Sequence, residues 1–93
     1  MNHIARVELH SATWDDYETL PAGMQRRGYS RTIRSDNGVT YQLPTGTYVT
    51  TNANVTLEVA LKAAVEAAGE TRRSSSTIVT DWTAARWEGL PKV

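Results

Sequence analysis

Residues 28–51, GYSRTIRSDNGVTYQLPTGTYVTT, constrain this chain more than any other stretch. Thr, Tyr, Val and Ile lie on both sides of Asn37-Gly38, and such residues suit a pleated, half-buried surface. Asn and Gly both tolerate φ > 0, so the dipeptide predicts a type I′ turn between antiparallel strands. The first strand is expected over 29–36 and the second over 39–43. Pro44-Thr45-Gly46 then interrupts the ladder, because Pro has no N–H to donate. A bulge or bend is expected there, with extended chain resuming over 47–51.

Before the hairpin, residues 5–10 alternate. Ala5, Val7 and Leu9 face one way and Arg6, Glu8 and His10 the other, the period of a strand with one buried face. His3 falls in a segment expected to fray. Thr13 is the expected N-cap of a helix, with Asp15 and Asp16 in a first turn that favours negative charge. Trp14, Tyr17, Leu20 or Pro21, and Met24 recur at helical spacing and read as core. Pro21 and Gly23 predict a kink or break between Leu20 and Gly23. Gly28 suits the position after the last turn, and Arg26 and Arg27 suit its negative end.

After the hairpin, residues 52–54 read as a polar turn. Thr56 caps a second helix over 57–68, with Leu57, Leu61, Ala64, Val65 and Ala68 as its apolar stripe. Glu58, Lys62 and Glu66 lie at i, i+4 spacing on the polar side. Gly69 suits the C′ position. Residues 76–80 form a further strand, 81–90 read either as an edge strand turning back or as a short helix, and 91–93 read as a loose tail. Trp82 and Trp87 lean to core over a partner surface. The order β-α-β-β-α-β predicts an α+β, ferredoxin-like domain over residues 1–93. Its antiparallel sheet carries two helices on one face, with the first strand central.

Composition narrows function mainly by exclusion. Hydrophobic residues make up 40% of the 93, enough for one modest core. Without cysteine there is no disulfide, thiolate nucleophile or Cys-based zinc site. The formal net charge is zero, so any contact with nucleic acid uses a local patch. No apolar run approaches the roughly 18 residues of a membrane-spanning helix, and residues 1–10 lack a signal-peptide pattern. A cytoplasmic protein without membrane association is expected. P-loop, dinucleotide and nucleophile-triad motifs are absent, and no small-molecule cofactor is expected.

Gly28-Tyr29-Ser30 entering the strand, Asp36-Asn37-Gly38 at the turn, and Gln42-Leu43 followed by Tyr48 and Val49-Thr50-Thr51 resemble the GhoS family. Members of that family are small endoribonuclease antitoxins of toxin–antitoxin systems. The resemblance covers roughly residues 4–81, and its motif-like part is the hairpin. It implies a ferredoxin-like fold similar to the small CRISPR-associated nucleases, and cleavage of single-stranded RNA such as a toxin's messenger. One feature departs from the family. Its proposed catalytic arginine corresponds to a position near Pro21, and residues 18–23 contain no arginine. The resemblance therefore speaks more directly to fold than to activity.

Three chemistries merit candidates. Metal-assisted hydrolysis would use His10, Asp15 and Asp16, but acids in a first helical turn are explained by the dipole, and no metal site is assigned. Metal-independent cleavage needs a base at the 2′-OH and a cation at the phosphorane, for which His10 and Arg6 are the candidates. Binding without cleavage would use Arg26, Arg27, Arg31 and Arg34 for phosphate and Tyr29 for stacking. The plainer reading of these arginines is a charged helix end and an edge strand that resists aggregation. The contrasting function is a non-enzymatic interaction module, a homodimer joined through the sheet edge or open face, or a binder of another protein.

Overall fold

The computed structural model describes residues 2–50 and 54–93. Eight elements follow in order: β1 (Asn2–Leu9), α1 (Asp16–Arg26), β2 (Tyr29–Ser30), β3 (Thr32–Arg34), β4 (Thr40–Gln42), β5 (Thr47–Thr50), α2 (Leu57–Gly69) and β6 (Ser75–Trp82). The fold is α+β with two helices. Four strands form an antiparallel sheet in the order β2-β5-β1-β6, and β3 and β4 form a separate two-stranded ribbon. Each arm of the expected hairpin is therefore two strands, giving six in place of four. The first strand is central, as expected, between β5 and β6.

The break in the hairpin has a local cause. Ser30 pairs with Val49, and Thr32 pairs with Gln42. One residue, Arg31, separates these pairs on the first arm, against six on the second, from Leu43 to Tyr48. The surplus is taken up by a turn at Pro44-Thr45-Gly46, closed by Thr47 N–H to the Pro44 carbonyl at 3.0 Å. Gly46 has φ +82°, and a Cβ there would meet the Val7 carbonyl oxygen at 2.5 Å. The same glycine accepts the Val7 N–H at 2.8 Å, so the turn locks onto the central strand.

At the hairpin tip only Gly38 has positive φ, and Asn37 does not. Gly38 N–H bonds the Ser35 carbonyl, and Ser35 N–H bonds Val39. The loop is a three-residue type I turn with a left-handed glycine, not the two-residue type I′ turn the dipeptide suggests. Ser35 Oγ, accepting from Val39 N–H at 3.2 Å, stabilises the longer loop.

Both faces of the sheet carry apolar clusters. Ala5, Val7, Leu9, Tyr29 and Tyr48 pack against Leu20 and Met24 of α1 and Ala60, Ala64, Ala67 and Ala68 of α2. On the opposite face Val49 joins Ile33 and Leu43 beneath Tyr41, Trp82, Trp87 and Leu90. The face expected to be open is therefore partly covered. Trp82 and Trp87 belong to this second cluster, where Trp87 meets Tyr41 edge-on at 5.5 Å. Residues 91–93 are not loose. Gln42 N–H bonds the Pro91 carbonyl at 2.8 Å and Val93 N–H bonds the Thr40 carbonyl at 3.0 Å. His3 is not frayed either. It is 1% exposed, and its Nε2 lies 2.7 Å from Asp81 on β6.

The helices depart from expectation in instructive ways. α1 runs through Pro21 without a break. Leu20, Gly23 and Met24, all buried, hold the helix on either side of the proline. Gly23 marks where the helices approach: a Cβ there would meet Ala67 Cβ at 3.5 Å and a Glu70 carboxylate oxygen at 2.7 Å. Thr13 does not accept a capping bond. Its N–H and Oγ1 instead donate to the Asp16 carboxylate. Trp14, expected in the core, is 80% exposed. In α2, Thr56 caps as expected, accepting from Val59 N–H at 3.2 Å. Gly69 is the last helical residue, and the left-handed position falls at Arg72, φ +62°. The buried face of α2 is made of four alanines, whereas Leu57, Leu61 and Val65 stay exposed. Of the expected turn over 52–54, only Asn54 lies among the described residues, as does all of the expected β5 extension except Thr51.

No described helix is long and apolar enough to cross a membrane.

Thr77 Oγ1 and Trp82 Nε1 are the buried side-chain polar atoms without a hydrogen bond among the described residues. A buried, unsatisfied hydroxyl carries a desolvation cost. Thr77→Val should therefore stabilise the fold by about 1 kcal/mol. Gly46→Ala should destabilise it by about 2 kcal/mol, because a left-handed backbone and a clash coincide. Urea unfolding of the two variants measures both.

Candidate functional site

The five extra residues in the second hairpin arm create a hollow. Residues 42–48 stand away from α1 and leave a groove of about 800 Å³ between them. Trp14, Tyr17, Gln25, Arg31, Gln42 and Tyr48 are among the residues that line it. Trp14 reaches it because it precedes the first regular turn of α1, where residues 13–16 form a tight turn closed by Asp16 N–H to the Thr13 carbonyl. Tyr48 enters from β5 on the helix-bearing face, opposite Ala5. Burial pushes its phenol up to about 12, a rise that the nearby Arg31 guanidinium opposes. Tyr48 is 3% exposed and belongs to the core, so it forms the floor of the groove.

Arg31 sits where the first arm breaks, with its carbonyl accepting from Leu43 N–H at 2.8 Å. No described carboxylate pairs with Arg31, Arg34 or Arg6. Arg34 does not share the groove. It lines a second hollow of about 650 Å³ with Asp36, Tyr41, Trp82, Arg86 and Trp87. Two arginines three positions apart thus serve different cavities, because the arm bends between them.

The other candidates are placed as follows. Arg26 and Arg27 both pair with Glu70, the second at 2.8 Å. Tyr29 is 3% exposed, and its hydroxyl donates to the Ala60 carbonyl at 2.8 Å. It is among the residues that line the groove, but its ring lies in the core, where stacking on a base would need it at the surface. Parity explains this: Tyr29 is opposite Thr50, on the face that receives the helices. Arg6 and His10 share the other face of β1 but lie about 13 Å apart along the strand direction. His10 Nδ1 is 3.2 Å from Ser74 Oγ and Nε2 is 3.0 Å from Ser76 Oγ, while Glu8 stands 3.9 Å away. Arg6 and His10 are not brought together.

Asp16 is also engaged. Arg73 Nε donates to its Oδ2 at 2.7 Å. The Thr13 backbone N–H, helped by Arg73, holds its carboxyl below the ordinary aspartate value. No group of three His, Asp or Glu residues suited to a metal ion occurs among the described residues. Asp16 at one end of α1 and Arg26 and Arg27 at the other instead clamp the helix to residues 70–73. These clamps fix the wall of the groove that carries Tyr17 and Gln25.

Trp14 and Tyr48 were not recognisable as site residues from the sequence. Trp14 shares helical spacing with buried Met24, and only the tight turn at 13–16 sets its direction. Compared with protein-family models, curated proteins and solved structures, the chain has no match.

The clamps give a pH signature. The Glu70 carboxyl is held below the ordinary glutamate value, first by the Arg27 hydrogen bond. With folded values depressed, the stabilisation from Asp16 and Glu70 is present above their unfolded values and lost as pH falls through the folded ones. The thermal midpoint should therefore decline on acidification below about pH 4. Glu70→Gln should lower the midpoint at pH 7, and its difference from the parent should shrink in the acid range. Scanning calorimetry against pH reads both.

Proposed function

We propose that this chain is a single-stranded RNA-binding protein with the ferredoxin-like arrangement, related to the GhoS-like antitoxins. The strand order supports the arrangement when β2 with β3, and β4 with β5, are each counted as one bent strand: the second arm, the first strand and the last strand then neighbour one another as β-α-β-β-α-β requires. The observation that carries the function is the groove, where an exposed Trp14 and a half-buried Tyr17 stand with Arg31, which no described carboxylate pairs, above the buried Tyr48.

Aromatic faces accept any base, and an arginine beside them holds phosphate or stacks in turn. Gln25 and Gln42 supply donors to base edges and phosphate oxygens. The volume, about 800 Å³, suits one or two nucleotides rather than a duplex. With zero net charge, the chain relies on stacking more than on long-range attraction. Binding is the reading proposed. Cleavage would need His10 and Arg6 to act on one phosphate, and they stand well apart.

Fluorescence anisotropy with a labelled single-stranded oligoribonucleotide at low ionic strength tests this. Trp14→Ala should weaken binding by about tenfold, the order of one lost stacking contact. Arg31→Ala should weaken it and reduce the salt slope by about 0.7, as one phosphate contact is lost. Tyr29→Phe should leave affinity unchanged. Absence of binding to the parent protein at low salt refutes the proposal. Incubation with and without EDTA, alongside His10→Ala, reports any cleavage separately.

A further inference from the structure

We propose that the outer edge of β6, with the adjoining flank of α2, joins two copies of this chain across a two-fold axis. The inference is independent of what the groove binds.

β6 is an edge strand eight residues long, paired on one side with β1 along its whole length. No described strand pairs with its other side. Such an edge presents unpaired N–H and C=O groups, and proteins that remain single usually blunt it with Lys, Pro, a bulge or a short length. Ser75-Ser76-Thr77-Ile78-Val79-Thr80-Asp81-Trp82 has none of these. Its one charge, Asp81, is already held by His3.

The helix above the strand supplies the second half of the surface. α2 lies over β1 and β6, while α1 lies beside β2. Ala67 meets Gly23 of α1, and Ala60 receives the Tyr29 hydroxyl, so these alanines mark the flank turned inward. Leu57, Leu61 and Val65 follow at i, i+4, i+8, rotated away from Ala67 toward the β6 side. They are 37%, 41% and 50% exposed. On the other face of the sheet Ile78 is 62% exposed. Apolar side chains thus border the free edge both above and below it.

A second copy fits this surface better than an unrelated strand. Identical strands related by a two-fold axis pair antiparallel, and each then brings its own helix to the same face of the joined sheet. Leu61 and Val65 of one copy would meet the same flank of the other, and Ile78 would meet Ile78 beneath. In a pairing centred near Ile78, the two Asp81 side chains are about 20 Å apart, so the strand's only charge does not oppose itself. Zero net charge also leaves no repulsion between copies.

Sedimentation equilibrium of the parent protein should show a dimer, with the dissociation constant raised at least about tenfold in Ile78→Lys and in Leu61→Glu. Both side chains are exposed, and circular dichroism checks that the variants fold. The absence of cysteine permits a second test: under mild oxidation Ile78→Cys should form a disulfide-linked dimer, whereas Glu18→Cys, on α1, should not. A parent protein that is monomeric at its highest soluble concentration overturns the proposal. So does a dimer that survives both substitutions, or an Ile78→Cys variant that crosslinks no faster than Glu18→Cys. If either charge variant fails to fold, the crosslinking comparison decides.

Discussion

The close seating of α2 on the sheet is the constraint from which most of the structure follows. Only alanines, at 60, 64, 67 and 68, face inward. Small side chains let the helix axis approach the strands and let Gly23 bring α1 alongside. The bulk of the core then comes from elsewhere, from Leu20, Met24, Tyr29 and Tyr48. Tyr29 can reach across to the Ala60 carbonyl because no larger residue stands there. The same seating leaves Leu57, Leu61 and Val65 outside. A helix rotated to bury those three would need room that the tyrosines already occupy, and close-packed interiors do not accommodate such additions cheaply.

The second organising feature is the unequal hairpin. Five surplus residues on one arm cannot be absorbed in a regular ladder, so the arm folds out at Pro44-Thr45-Gly46 and re-enters at Thr47. That excursion forms one wall of the groove, and the clamped α1 forms the other. It also sends Arg31 and Arg34 to different hollows and directs β3 and β4 toward the far face, where the two tryptophans and the chain's last residues cover them. A local mismatch in length therefore sets both the site and the second core.

Local signals were legible in the sequence where the chain decides its conformation locally. The alternation of Ala5, Val7 and Leu9, the Thr56 cap and the interruption at Pro44 each act through their immediate neighbours, and each is found in place. Asn37-Gly38 marked the turn but not its type, because Ser35 selects the longer loop. What could not be read is set by tertiary competition. Trp14 lies outside and Tyr29 inside because each element has one buried side and the neighbours choose its rotation. His3 is buried because Asp81 waits on the adjacent strand. Arg26 and Arg27 read as a charged helix end or as phosphate ligands, and their shared pairing with Glu70 depends on how the two helices meet. Of the residues lining the groove, Arg31 and Tyr29 were singled out from the sequence, while the position of Trp14 and Tyr17 beside them depends on the groove's walls.

The position of β1 bears on how the chain reaches this structure. Ile4 pairs with Val49, a separation of 45 residues, and Ala5 pairs with Val79, a separation of 74. Of the described strands, the one earliest in the chain waits for two of the latest, β5 and β6, to fill its two hydrogen-bonding sides. Folding cannot proceed by simple accretion from the amino-terminal end, since β1 has no ladder to join until β5 exists and no second neighbour until β6 does. Closure of such long loops before contacts repay their entropy is the hallmark of slow-folding topologies. While it waits, β1 is a strand with one apolar face and two open edges, a form of chain prone to associate before folding is complete.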